Sequence, residues 1–164
     1  QFYNSKLILS MNSKEELLKA LKNKDPKKRN LATKALWSLW HGEAGESAEL
    51  KLNQGTTLMN SKKFNQAEEI FTSLISEFPD FAEAHNKLAT LFYLENEYLE
   101  SVGQCKVVLS LNPHHFGAWN GMGLCLFNLG KYNEAIQSFQ RALEIQPFAT
   151  VNQVYIARCR GNLN

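Results

Sequence analysis

The chain has 164 residues, 44% of them hydrophobic and 21% charged, with four prolines and a formal net charge of +2. That composition supports a packed core and excludes a disordered chain, and no run of about 18 apolar residues is present to span a membrane. Cys105, Cys125 and Cys159 are widely spaced with no CxxC pair; this fits neither a disulfide framework nor a zinc ribbon and points to a reducing, intracellular setting, the cytoplasm or an organelle matrix or stroma.

Residues 1–12 hold Phe2, Tyr3, Leu7, Ile8, Leu9 and Met11, an apolar tail too short to cross a bilayer. An ordered tail and a partner-dependent segment both remain open for it. The first residue is Gln1 rather than Met, which suggests a processed or excised chain. Residues 13–47 read as a helical hairpin. Ser13 followed by Glu16 is a capping box, and Leu17, Leu18 and Leu21 form an apolar stripe. Asp25-Pro26 starts a second helix, with Asp as N-cap and Pro in the first turn. Leu31, Ala32, Ala35, Leu36, Leu39 and Trp40 make its face, and Gly42 and Gly45 stop it. The expectation is that this pair stacks on the first repeat that follows it, as a degenerate N-terminal cap.

Charge is divided unevenly. Residues 1–42 carry nine Lys and Arg against three Asp and Glu, whereas residues 43–164 carry nine against thirteen. Lys19, Lys22, Lys24, Lys27, Lys28, Arg29 and Lys34 fall within sixteen positions. Such a cluster is either a solvated face or a surface for RNA, anionic lipid or an acidic protein.

From residue 48 the chain repeats. Pro79, Pro113 and Pro147 are 34 residues apart, as are Ala67, Ser101 and Ala135, then Gly55, Ala89 and Gly123, then Leu58, Phe92 and Leu126. Each unit is two helices and a tight turn. Small residues let the two helices approach, larger apolar residues fill the seam, and proline ends the second helix because it lacks an N–H and restricts its predecessor. One unit cannot bury its apolar faces, so neighbours stack. The units are 48–81, 82–115 and 116–149, and residues 150–164 form a further helix that covers the last apolar face.

The third unit resembles the tetratricopeptide-repeat (TPR) family at Trp119, Met122, Gly123, Leu126, Ala135, Phe139, Ala142 and Pro147. The second keeps Leu88, Ala89, Phe92 and Pro113 but has His85 and Cys105 where larger apolar residues are usual. The first keeps Gly55, Leu58, Ala67, Phe71 and Pro79 and departs at Lys51, Gln54 and Leu74. The resemblance implies an all-α, right-handed solenoid of helical hairpins with eight or nine helices. It also implies a concave groove for a peptide or helix of another protein, in an adaptor or assembly role. The groove positions are Leu52, Thr56, Met59 and Asn60 in the first unit, Asn86, Lys87, Thr90 and Tyr93 in the second, and Gly117, Asn120, Gly121, Leu124, Phe127 and Asn128 in the third. Arg158 closes the end. Some TPR co-chaperones clamp the C-terminal carboxylate of heat-shock proteins with Lys, Asn and Arg. The matching positions here are Leu52, Thr56, Lys87, Gly117 and Gly121, which disfavours that mode. The alternatives are RNA or anionic-membrane binding through the basic hairpin, and a regulatory TPR domain cut from a larger protein.

No catalytic constellation is present. Gly121-Met122-Gly123 lacks the strand, third glycine and Lys-Ser/Thr of a phosphate loop. His114 and His115 are adjacent, so they do not face one ligand, and no partner follows at metal spacing; they read as an inter-repeat turn. His85 reads as a satisfied core histidine. With no nucleophile elbow and no HExxH motif, neither an enzyme nor a cofactor or metal site is expected.

Overall fold

The computed structural model describes residues 13–164; the apolar tail 1–12 lies outside them. Among the described residues there are nine α-helices and no strands. They are α1 (Lys14–Ala20), α2 (Pro26–His41), α3 (Glu46–Asn60), α4 (Phe64–Glu77), α5 (Ala82–Leu94), α6 (Tyr98–Leu111), α7 (Phe116–Asn128), α8 (Tyr132–Ile145) and α9 (Thr150–Leu163). None is long and apolar enough to cross a membrane.

Local chemistry sets the boundaries. Ser13 Oγ accepts from Glu16 N at 3.2 Å, and Asp25 Oδ1 accepts from Lys27 N at 2.9 Å, so both hairpin helices begin on side-chain caps. Within each repeat the turn is the same. Lys63 N, Glu97 N and Lys131 N donate to the carbonyls of Leu58, Phe92 and Leu126 at 2.9, 2.8 and 2.9 Å. Each of these bonds spans a left-handed residue, namely Lys62 (φ 60°), Asn96 (φ 63°) and Gly130 (φ 72°). This is the Schellman closure, in which one left-handed residue lets the chain reverse while satisfying an orphan helix carbonyl.

The seams are built on volume exchange. A Cβ on Gly55 would sit 2.6 Å from Phe71 Cε1, and one on Gly123 would sit 2.6 Å from Phe139 Cε1. The phenylalanine rings, both 0% exposed, occupy the space a side chain would need. In the middle repeat the corresponding pair is Ala89 with Cys105, a larger residue facing a smaller one. α9 continues the pattern against α8, with Tyr155 stacked on Phe139 at 5.3 Å. Its outer side leaves Val151 and Val154 half-exposed, at 50% and 54%.

The hairpin departs from expectation. It does not stack on the first repeat. Its core of Leu17, Leu21, Ala32, Leu36 and Trp40 closes on Phe116, at the start of the third repeat. α2 runs along the edge formed by the inter-repeat turns and the first turns of α5 and α7. At its beginning Arg29 lies over the Phe148 ring, 4.1 Å from the centroid, and Gln146 Nε2 donates to Thr33 Oγ1 at 3.4 Å. Near its end the Trp40 ring stacks on His115 at 4.5 Å, and Trp37 meets Phe116 edge-on at 5.4 Å. The cause is steric and apolar together. Gly117 has no side chain, so Trp37 enters to where a Cβ would be 2.8 Å away, and Trp40, 1% exposed, buries its ring against His115 and Phe116.

Candidate functional site

The first helix of each repeat lines the concave side, but not every groove position stays accessible. Leu52 and Met59 are 0% and 5% exposed and pack with Leu88 and Leu91 of α5 in the first core. They are core residues rather than groove residues, because apolar side chains there turn into the seam with the next repeat. Gly117 is covered by Trp37 and offers no open floor. Thr56 is half-buried, its hydroxyl donating to Leu52 O at 2.8 Å, and Asn60 is exposed.

The open strip lies on the second and third repeats. Asn86, Lys87 and Tyr93 are half-buried and Thr90 is exposed on α5; Asn120, Gly121, Leu124 and Phe127 are half-buried and Asn128 is exposed on α7. Asn86 and Asn120 occupy equivalent positions, as do Tyr93 and Phe127. Asn120 Nδ2 donates to Asn152 Oδ1 at 2.8 Å, which fixes its amide and leaves its own oxygen to accept. The aromatic side is a ladder in which Tyr93 meets Tyr98 at 5.8 Å, Phe127 meets Tyr132 at 5.6 Å, and Phe127 meets Tyr155 at 5.3 Å. Arg158 is exposed on α9, its guanidinium 4.9 Å from the ring centroids of both Phe127 and Tyr155. Burial, with the neighbouring Tyr155 and Tyr98, raises the Tyr93 phenol above its ordinary value and keeps it a neutral donor. Tyr132 and Tyr155 were not among the expected site residues. The sequence signal for Tyr132 is the aromatic Phe64, Tyr98 and Tyr132 opening the second helix of each repeat at 34-residue spacing, a series to which Tyr155 does not belong.

A second constellation also escapes the sequence. Glu83 and His115 are both 0% exposed. His115 Nδ1 accepts from Ala118 N at 3.0 Å, so Nε2 carries the proton and donates to Glu83 Oε1 at 2.6 Å. His41 Nδ1 donates to Trp37 O at 2.6 Å and turns Nε2 toward Glu83 Oε2 at 3.7 Å. Burial pushes the Glu83 carboxyl up, but the His115 hydrogen bond, with the electrostatic pull of His115, His41 and Lys87, outweighs it, and the group stays below its ordinary value. A sealed acid–histidine pair has no substrate access, so its role is to pin α2 to the repeats. His115 is therefore a buried structural group and more than a linker. His85 is buried too, its nitrogens bonded to Gln104 Oε1 at 2.8 Å and Pro79 O at 3.0 Å.

Of the basic cluster, Lys19, Lys22, Lys24, Lys27, Lys28 and Lys34 are exposed. Arg29 is not a free cation, since its Nη1 donates to the carbonyls of Asn23 and Lys24 at 2.8 Å each while the side chain covers Phe148.

Repeated two-helix units of constant length, stacked with an open concave face, define a helical-repeat interaction scaffold. Family profiles described as Tetratricopeptide repeat match residues 52–109 and 117–148, together just over half of the chain, and the chain belongs to the tetratricopeptide-repeat family. Tetratricopeptide repeats are interaction scaffolds, and that coarse function holds for the repeats described here. A TPR repeat-containing protein of Rhizobium etli is 28% identical over 134 residues, covering 81% of this chain and 66% of that protein. Tetratricopeptide repeat protein 33 of Homo sapiens is 28% identical over 109 residues, covering 66% of this chain and 41% of the relative. The chain thus spans at most two thirds of the length of these relatives. Among solved structures, the first TPR of Spaghetti (RPAP3) bound to an HSP90 peptide superposes with a TM-score of 0.69 at 19% identity, covering 71% of this chain and 92% of that one. The MamA protein superposes with a TM-score of 0.67 at 17% identity, covering 99% of this chain and 84% of its own. These structural likenesses establish the fold.

Proposed function

We propose that the chain is an adaptor whose concave face takes a short, largely uncharged segment of a partner protein, bringing that partner into an assembly. The observation that carries this reading is the repeated amide-and-aromatic strip, Asn86 with Tyr93 and Asn120 with Phe127, left accessible where Leu52 and Met59 are buried in the core and Gly117 lies beneath Trp37. Asparagine offers donors and an acceptor to an extended backbone without reading its side chains, and the rings accept apolar side chains. Arg158, resting on Phe127 and Tyr155, supplies a cation at one end for a carboxylate of the segment.

The Spaghetti domain holds an HSP90 peptide and a TPR2B domain of yeast Sti1 is in a complex with Hsp70. This chain is unsuited to the two-carboxylate clamp. Of the matching positions, Leu52 is buried, Thr56 and Gly121 carry no charge, and Gly117 lies beneath Trp37; Lys87 remains. Its partner is therefore a segment read by amides and apolar contacts. Three buried free thiols favour a reducing compartment for the encounter.

The test is affinity capture from the native lysate with the wild-type chain, Asn86→Glu, and Asn86→Glu/Asn120→Glu, each checked for unchanged helicity and melting temperature. A protein held by wild type, weakened by the single variant and lost with the double supports the groove. Equal capture by all three overturns it.

A further inference from the structure

A cleft of about 860 Å³ lies outside the concave groove, between α1 and the third repeat. Its floor is apolar, made by Leu18 of α1 with Pro113, Trp119 and Ile145. Trp119 is held as a wall, because its indole N–H donates to Pro113 O at 2.8 Å. Lys14, Lys19 and Lys22 stand on the rim. Among the described residues none of these three lysines enters an ion pair, and Glu144 on the opposite rim is already held by Arg141 at 2.8 Å. Glu15 is the remaining rim carboxylate, so the free charge of the mouth is positive.

The cleft does not end there. A hollow of about 440 Å³, floored by Val102, Met122 and Leu126, shares Trp119, Arg141 and Glu144 with it. Together they make a trough along α8, with Lys14, Lys19 and Lys22 at the hairpin end and the exposed Lys106 beside the second hollow, where Glu134 is already held by Lys131 at 3.7 Å. An elongated apolar floor fits a chain segment better than a compact ligand, which buries most of its surface in an enclosed pocket. Cations over both parts of an apolar floor select a segment whose apolar side chains are flanked by acidic ones, with electrostatics setting specificity and encounter rate and the floor supplying affinity.

We propose that this outer cleft is a second peptide site, taking a segment of a partner protein in which leucine-like side chains are flanked by Asp or Glu. Its far wall is α1, so it exists only because α2 carries the hairpin back onto the third repeat. It gives a use to Lys19 and Lys22 that the concave groove does not, and it stands whether or not that groove binds.

The experiment follows the indole N–H resonances of the whole chain by NMR, each assigned by replacement with Phe. The chain is titrated with a short synthetic peptide of leucines flanked by aspartates, and separately with the same peptide carrying lysines instead. The aspartate peptide is expected to shift the Trp119 resonance saturably and leave Trp40 in place. Lys19→Glu/Lys22→Glu, both at exposed positions, weakens that binding about tenfold. Asn86→Glu/Asn120→Glu leaves it unchanged, which separates this site from the groove. A Trp119 resonance that does not move, or that moves equally with the lysine peptide, overturns the proposal. Phosphatidylserine vesicles bound by wild type and lost by the Lys19→Glu/Lys22→Glu chain, with no peptide effect, would reassign the lysines to a membrane surface.

Discussion

Replacing Gly123 by alanine sets two well-understood effects against each other. In an open helix the change stabilises by about 1 kcal/mol, because glycine loses more backbone freedom on folding. At Gly123 the new methyl would lie 2.6, 2.8 and 2.8 Å from three atoms of the Phe139 ring, which is 0% exposed. Overpacking of this kind costs about 1–3 kcal/mol, so the net expectation is a loss of up to about 2 kcal/mol. For a chain of this size that lowers the melting temperature by up to about 8 °C. Gly103 in α6 is the control, since nothing lies within 4 Å of its Cβ, and Gly103→Ala should raise stability by up to about 1 kcal/mol. The middle repeat supplies the compensating pair. Phe139→Cys alone should cost about 3 kcal/mol or more, but in the double variant Gly123→Ala/Phe139→Cys, which copies Ala89 and Cys105, the sum should fall short by about 1 kcal/mol or more. The assay is urea unfolding of the four chains and the control, followed by circular dichroism. A Gly123→Ala chain as stabilised as Gly103→Ala, or strict additivity in the cycle, would refute the volume-exchange account of the seam.

Glu83 makes stability depend on pH in a stated direction. Its folded value lies below the ordinary 4.5, so its contribution is present above the unfolded value and is lost as pH falls through the folded one. Glu83→Gln should cost about 2 kcal/mol near neutrality, and the difference between wild type and variant should shrink as pH is lowered below 4.5; a difference that stays constant in acid urea titrations would contradict it. The thiols give an independent check on the core. Burial, with Cys125 nearby, pushes Cys105 up to about 12, and Cys125 and Cys159 are raised too. Native chain should therefore label with a thiol reagent far more slowly than denatured chain, and rapid native labelling of Cys105 would show an open second repeat.

The repeats are legible because their determinants are local and recur. Proline and the small residues of the seam reappear after 34 residues, so periodicity alone aligns them, although the seam pair is Ala89 with Cys105 in the middle repeat and the left-handed Lys62, Asn96 and Gly130 share only their spacing. The hairpin is legible as a hairpin for the same reason: Ser13, Asp25 and Pro26 act within one helical turn. Its destination is not legible. Leu36 and Trp40 announce burial without naming a partner, and the partner begins at Phe116, in a different repeat. The Glu83–His115 pair is invisible for a related reason. The positions equivalent to Glu83 are Glu49 and Gly117, so no periodicity marks it. The groove positions transfer from the family only in part. Polar Asn86 and Asn120 stay accessible, whereas apolar Leu52, at the equivalent place, turns into the core.

The hydrogen bond from Gln146 to Thr33 joins residues 113 apart in sequence. A simple repeat array behaves as a row of neighbours, in which end units fray independently and folding propagates from any point. Here the last inter-repeat turn is tied to a helix that precedes the first repeat. Opening the C-terminal repeat therefore strips contacts from the N-terminal hairpin, and loosening the hairpin removes a support from the third repeat. The chain closes a long loop before that contact forms, which raises contact order and slows folding relative to a linear array of the same repeats. What it gains is cooperativity: a solenoid short enough to unravel from either end becomes a unit that unfolds as a whole.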